Sequence, residues 1–529
     1  MIVFKRLIIN WNIVINSVAI VLIFVSIFYR FIYLSHIPGI NGDEPFGMIK
    51  PFLFGTNYQS VWSNATRFYD PLYLLIAFLL HWVIDLPPSF LVLRIPPLFY
   101  GVLTIILSFF LFKKIYGKDR ALFITLLIAV LPMHIAYSRF SWDPSQTPFI
   151  ALLCLYFAFS KKWLFLIIAY SFALLVHPTN IFLFPILCLF FVQGSGKYLL
   201  AKRKKKVFSI VCYSLLLITI AFVIYRFFDH YNISLNRILS SPRTKARLMD
   251  WQSAIQFAKN YSKYFAGVPV YSQLSGSLNG SLLWFHIYPF YALFGFLILS
   301  NLFIFRKQKL FTWALIISLF GFYLFGSGAV FKNRYAIWAT VPICIWLVNS
   351  LFLMSSKKWM NWMVKISLII MACFFLFSFN HQYFNEIKEN NNQRHRTFLT
   401  GPNEPKKVAF ELIEHYRNPD LKTIVLAEEW WLYWPIKYLS YKSDNYLILE
   451  TSMPSGRLFP PDRLPDDLND KYEIFLVLWH HKKLQGVINQ KENFLLLREI
   501  FGYGDLGILK VFLYKGSDYQ QFLDGSWRR

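Results

Sequence analysis

Acid is scarce in this chain. Its 529 residues carry 28 Asp and Glu against 54 Lys and Arg, a formal net charge of +26, and the N-terminal half is almost free of carboxylates. Cysteine is scarce as well. All five (Cys154, Cys188, Cys212, Cys344 and Cys373) fall inside expected spans, so no disulfide framework or metal knuckle is implied. No soluble segment holds a basic stripe interleaved with aromatics, so the positive charge does not make nucleic acid a partner. No small-x-small cleavage site follows the first apolar run, which is longer than the core of a signal peptide, and the expectation is an uncleaved anchor. No internal repeat is visible.

What the chain has in abundance is apolar surface: 56% hydrophobic and 20% aromatic residues, with mean hydropathy +0.43. Charge-free runs at 12–29, 121–138 and 207–225 approach or meet the roughly 20 residues needed to cross a bilayer. A mainly α, polytopic membrane protein is expected. The cations gather in short loops: Lys5-Arg6, Lys113-Lys114 with Lys118 and Arg120, Lys161-Lys162, 202–206, Arg306-Lys307 with Lys309, and Lys357-Lys358. Such enrichment marks cytoplasmic loops facing anionic lipid headgroups. With Lys5-Arg6 inside, spans at 12–34, 91–112, 121–138, 145–160, 163–176, 180–193, 207–226, 283–305, 310–330, 335–354 and 361–380 place every cluster inside, about eleven in all. The stretch 71–86, which holds His81 and Asp85 and ends at Pro87-Pro88, is expected to lie on the outer surface.

Residues 1–384 thus read as a transmembrane module with external loops at about 35–90 and 229–282, the latter carrying Arg237, Arg243, Lys245 and Arg247. Residues 385–529 read as a small soluble α/β domain on the outer face, with strands at 422–428, 446–450 and 473–478. The run Gly502-Tyr503-Gly504-Asp505-Leu506-Gly507 has dinucleotide-loop spacing but precedes a β-like run rather than a helix, and is read as a hairpin turn. Sequons at Asn64, Asn232 and Asn279 fall on the expected outer side and matter only in a host that glycosylates there.

Four features converge on that face: Asp43-Glu44 beyond the first span, Asp143 before Pro144, His177 before Pro178, and Lys332-Asn333-Arg334-Tyr335 between two spans. An ionisable group at a membrane costs solvation energy, so its presence there points to function. A carboxylate can take the proton of an acceptor hydroxyl, and cations can stabilise charge on a departing phosphate. Arg67, Arg139 and Tyr335 are further site candidates. Each has a plainer reading. Asp43 and Asp143 suit helix starts, His177 suits a solvated loop, and Lys332 and Arg334 suit interfacial cations that reach toward headgroups.

The order of short motifs resembles a family. Gly42-Asp43-Glu44 follows the first span, then Asp70-Pro71-Leu72-Tyr73, Leu93-Arg94, and a span ending in Lys113-Lys114-Ile115-Tyr116-Gly117. Leu131-Pro132, Tyr137-Ser138-Arg139, Asp143, Arg334-Tyr335 and Pro342 complete it. Over about residues 1–360 this is similar to the GT-C glycosyltransferases, in the branch of protein O-mannosyltransferases and lipid A aminoarabinose transferases, and the tail resembles the soluble domains that some members append. The resemblance implies a polyprenyl-phosphate-linked sugar donor and inverting transfer at the outer face of a bacterial cytoplasmic membrane. It implies Asp43 as base or acceptor-positioning group with Glu44 as its partner, Asp143 as a second acidic position sometimes associated with metal, and Arg334 with Lys332 near the lipid phosphate. The chain departs from the common pattern at Asp70, where Lys or His often precedes Pro-Leu-Tyr, and at His177-Pro178, where some relatives carry Lys.

The expected function is therefore a membrane glycosyltransferase acting on a lipid, glycan or protein acceptor, with membrane lipids as further partners. No cofactor is required by the sequence; a divalent metal is compatible with it, although no ligand set is complete. The rival reading is a lipid or solute transporter or flippase, which would place its ionisable groups near the bilayer midplane and show repeated halves.

Overall fold

The computed structural model describes residues 2–46, 71–195, 263–271, 280–304, 306–325, 333–355, 357–389, 398–450, 472–481 and 493–515. Arg67, Lys332, the expected span at 207–226, most of the 229–282 loop and the sequon asparagines Asn64, Asn232 and Asn279 lie outside them. The described chain is mostly helical and ends in a small sheet domain.

Helix α1 (Ile2–Phe31) is followed by α2 (Pro71–Phe78), which runs into a π-helical turn, Leu79–Val83. Thirteen residues from 71 to 83 make a rod of about 20 Å, too short for the roughly 30 Å hydrocarbon core. The 27-residue α3 (Phe90–Tyr116) is capped by Ser89, whose hydroxyl accepts the Val92 N–H. The chain turns at Gly117 and returns as α4 (Lys118–Val130). The expected single span at 121–138 is instead two helices. Leu131 precedes proline and is extended (ψ 122°), so the chain bends there and restarts with Pro132 in the first turn of α5 (Pro132–Tyr137).

Helices α6 (Thr147–Phe159), α7 (Trp163–Val176), α8 (Phe184–Ser195), α9 (Gly280–Phe303), α10 (Arg306–Phe325), α11 (Thr340–Met354) and α12 (Lys358–Phe379) complete the module. Four stretches are long and apolar enough to cross a membrane among the described residues: Trp11–Phe31, Phe90–Tyr116, Tyr335–Met354 and Lys358–Lys388. Helix α1 buries only a narrow stripe (Ile15, Ala19, Ser26, Arg30) and exposes Val14, Val21, Phe24 and Phe28, the pattern of a lipid-facing helix. In contrast, α4 is buried on every side from Ala121 to Val130, and α11 nearly so. These two form the centre of the bundle. One end is tied by Lys365 of α12, almost fully buried, whose ammonium meets Asp119 at 2.5 Å and Asn12 at 3.4 Å.

The C-terminal domain begins with α13 (Pro405–Tyr416) and continues as β1 (Lys422–Ala427), α14 (Trp430–Ser440), β2 (Tyr446–Glu450), β3 (Tyr472–Trp479), β4 (Phe494–Phe501) and β5 (Gly507–Tyr514). The sheet order is β2-β1-β3-β5-β4; β1 is parallel to β2 and β3, and β5 is antiparallel to β3 and β4. Its core joins Ala409 and Ile413 of α13 and Leu432 and Ile436 of α14 to Val425, Phe475 and Val477. The glycine-spaced run is the β4–β5 hairpin, with a 3-10 turn at Tyr503–Asp505, so it opens no phosphate-binding helix. Strand β4 is not anticipated by the sequence.

Candidate functional site

The acidic pair sits on a tight turn directly after α1. Asn41 Oδ1 accepts the Asp43 N–H at 2.8 Å, its carbonyl accepts the Glu44 N–H at 3.0 Å, and Phe46 N–H reaches Gly42 O at 3.1 Å. A helix therefore starts here with Asp43 in its first turn and Asn41 supplying a side-chain cap. Asp43 is 8% exposed and Glu44 is fully buried.

Glu44 is surrounded by donors. Arg94 of α3 grips it with Nε on Oε2 at 2.8 Å and Nη2 on Oε1 at 2.7 Å. The N–H groups of Asn41 (3.1 Å) and Ser141 (3.0 Å) add one bond to each oxygen. The remaining Arg94 nitrogen holds the chain before the turn, with Nη1 donating to the carbonyls of Leu34 and Pro38 at 3.0 Å. A bidentate, fully bonded buried pair is the geometry in which two desolvated charges are sustained.

Ser141 carries the arrangement to the next loop. Its N–H meets Glu44, its hydroxyl donates to the Tyr73 hydroxyl at 2.6 Å, and Tyr73 donates to Leu93 O at 3.1 Å. Two residues on, Asp143 opens the 3-10 turn Asp143–Gln146 that leads into α6. Between them, Trp142 is buried and its ring lies 5.2 Å from that of Tyr335. Tyr335 belongs to the turn Asn333–Ala339, whose backbone also carries Arg334. On Tyr335 stacks the His177 imidazole, at 5.3 Å and 19° between planes. His177 is the N-cap of the turn Pro178–Leu183: its Nδ1 accepts the Thr179 N–H at 3.2 Å and lies 2.7 Å from the Thr179 hydroxyl. The backbones bearing Asp43, Asp143, Arg334 and His177 are thus joined by one ion pair and one row of aromatic rings. The side chains of Asp143 and Arg334 lie outside the described residues.

Arg139 faces inward. It is fully buried, donates to Tyr29 O at 2.5 Å and Ile37 O at 2.8 Å, and lies 5.0 Å from the Phe384 ring centre. Arg30 is likewise buried, donating to Ser26 O at 2.7 Å and Ala129 O at 2.9 Å. Both are held by backbone carbonyls, while Arg94 meets Glu44. The guanidiniums give this end of the bundle a positive field suited to an anionic group. The histidine in the loop between α1 and the acidic turn, His36, senses it: burial lowers its pKa first, then the Arg94 and Arg139 charges.

Arg94, Arg30, Ser141 and Tyr73 were not among the site residues expected from sequence. An arginine at the far end of the charge-free run of α1, and another near the start of the apolar α3, were the available signals for the first two. Among the described residues no group of three or more His, Cys, Asp or Glu side chains is placed to hold a metal ion.

No protein-family model matches the chain, and no curated protein matches it in sequence. Solved structures do. ArnT from Cupriavidus metallidurans in the apo state superposes over 95% of this chain and 98% of its own, with TM-score 0.54 and 12% identity. ArnT bound to undecaprenyl phosphate covers 96% and 98%, with TM-score 0.53 and 12% identity. An oligosaccharyltransferase from Archaeoglobus fulgidus, in complex with Zn and sulfate, covers 80% of this chain and 61% of its own at TM-score 0.42 and 13% identity. The chain has the ArnT fold from its long apolar helices through its C-terminal sheet.

Proposed function

We propose that this protein is an integral-membrane glycosyltransferase that moves a sugar from a polyprenyl-phosphate donor to an acceptor hydroxyl at the outer face of the membrane, with inversion. The observation that carries the reading is the Asp43 turn, pinned by Glu44–Arg94 to the Asp143 loop, in a chain whose fold is that of a protein that binds undecaprenyl phosphate. About eleven spans, with the C-terminal domain and site outside, complete the proposed topology.

In the proposed mechanism Asp43 accepts the proton of the acceptor hydroxyl as the oxygen attacks the anomeric carbon. The bond from that carbon to the phosphate oxygen breaks with its electron pair, and polyprenyl phosphate departs. Arg334 and Lys332 meet the growing phosphate charge, in the positive field of the neighbouring buried arginines. Asp143 takes the second acidic position, and Arg67 and His177 line the donor. Glu44, with its four donors, holds the turn rather than moving protons.

The test is release of polyprenyl phosphate from a panel of radiolabelled polyprenyl-phosphate sugars by purified protein with envelope extract as acceptor source, comparing wild type with Asp43→Asn. One donor should be consumed, and the substitution should slow it by about 10²- to 10⁴-fold. A wild type that consumes none, or a mutant as fast as wild type, overturns the assignment.

A further inference from the structure

The C-terminal domain does more than stand beside this site. It holds the backbone of the acidic turn. The Gly39 N–H donates to Phe398 O at 3.0 Å, and the Ile40 N–H donates to Glu404 Oε1 at 3.2 Å. Both N–H groups sit where the chain is buried, so removing their acceptors would leave orphaned donors. Glu404 is itself fixed. As the N-cap of α13 its Oε2 accepts the N–H groups of Lys406 (2.7 Å) and Lys407 (2.9 Å), and the Lys406 ammonium lies 3.1 Å from Oε1.

Two residues further, the N-terminus of α14 presses on the turn. A Cβ at Gly42 would stand 2.7 Å from Trp430 O and 2.9 Å from its Cδ1, so only glycine allows this approach. The Phe46 ring, closing the turn, lies 4.7 Å from both Trp430 and Trp434. Residues 40, 42 and 46 are therefore gripped by the C-terminal domain, residue 39 by the segment that leads into it, and Glu44 by α3. Asp43 sits between the two grips. A domain that only shielded the site, or only recruited acceptor, would not need to bond the backbone of this turn.

We propose that Glu404 and Trp430 are positioning residues for Asp43, and that the C-terminal domain completes the catalytic turn for every acceptor. This rests on the proposed glycosyl transfer. A base displaced by about 1 Å loses on the order of 10²-fold in rate.

The experiment uses the full-length protein in detergent and has two arms. Hydrogen–deuterium exchange over residues 39–46 needs no substrate, and Glu404→Ala and Trp430→Ala should each speed it by about fivefold or more. Glu404→Gln, which keeps the size and part of the accepting capacity, should lie between them and wild type. Glu473→Ala is the control. Glu473 is buried at the far end of the sheet, accepting from Asn418 and Thr423, so its loss weakens the domain without touching the turn. In the second arm, Glu404→Ala and Trp430→Ala should lower kcat about 10- to 100-fold with donor KM within about twofold, and Glu473→Ala should keep wild-type kcat. Unchanged exchange at 39–46, or faster exchange with unchanged kcat, overturns the proposal. So does an equal loss of kcat in Glu473→Ala. If wild type consumes no donor, the functional reading falls, while the exchange arm still shows whether the domain holds the turn.

Discussion

Arg94 and Glu44, fifty residues apart in sequence, meet as a two-pronged pair at 2.8 and 2.7 Å with neither side chain exposed. The pair fixes three pieces of chain at once: the loop before the acidic turn through Leu34 and Pro38, the turn itself, and the Asp143 loop through Ser141. Removing one member of a buried pair leaves an uncompensated charge and costs about 3–5 kcal/mol. Glu44→Gln is therefore expected to lower the melting temperature clearly and to lose activity with it. Asp43→Asn is expected to lose activity at an unchanged melting temperature. Thermal melting in detergent beside the transfer assay separates them, and a Glu44→Gln protein as stable as wild type yet inactive would give Glu44 a chemical role instead.

The loop that feeds carbonyls to Arg94 and Arg139 contains His36, whose pKa is lowered by burial and by those two cations; Lys388 adds to the effect and Glu404 opposes it. The unfolded chain then binds a proton there more readily than the folded one. Stability from this residue is present above the ordinary histidine value of about 6.5 and is lost as pH falls below it. Melting temperature and transfer rate should both decline from about pH 6.5 to 5, and His36→Asn should flatten that decline. Identical pH profiles for the two proteins would remove His36 from the account.

These relationships differ in how far they can be read from the chain. Local pattern is legible: the run at 163–176 is a helix over Trp163–Val176, and 446–450 is the strand Tyr446–Glu450. The break at Leu131 is a local effect too, written in the residue before a proline, but hydropathy alone smooths over it. Strand β4 hides because it is an edge strand with two register shifts, so its side chains do not alternate cleanly between core and solvent. The acidic turn was visible as charge out of place. Its partner Arg94 was visible as a motif residue, but nothing local pairs positions 44 and 94, or joins Glu404 to Ile40 across the whole helical part of the chain.

His177 offers a separable test of the aromatic row. It caps its turn through Nδ1 and stacks on Tyr335, which in turn meets Trp142 beside Asp143. Asparagine is as good a cap, so His177→Asn keeps the turn and removes only the ring. An aromatic pair contributes about 0.5–1.5 kcal/mol, so stability should fall by no more than that while kcat/KM falls by roughly 2- to 10-fold. An unchanged kcat/KM would make the stack a packing feature only.

Helix α3 runs close against the end of α5 at Gly101, where an added Cβ would lie 2.4 Å from Ser138 Oγ and 2.5 Å from Ser138 Cβ. Ser138 cannot simply rotate away, because its Cβ is part of the clash. Its hydroxyl also accepts from Arg30 Nε at 3.2 Å and donates to His134 O, and Arg139 follows it directly. Gly101→Ala should therefore push α5 off α3 and destabilise the protein by about 1–3 kcal/mol, the usual cost of overpacking. Ser138→Ala should not relieve it, since the Cβ remains, whereas Ser138→Gly should restore part of the loss. That non-additive recovery, measured as a double-mutant cycle on melting temperature, is the signature of direct contact. Strict additivity of Gly101→Ala and Ser138→Gly would mean that the two helices do not meet here.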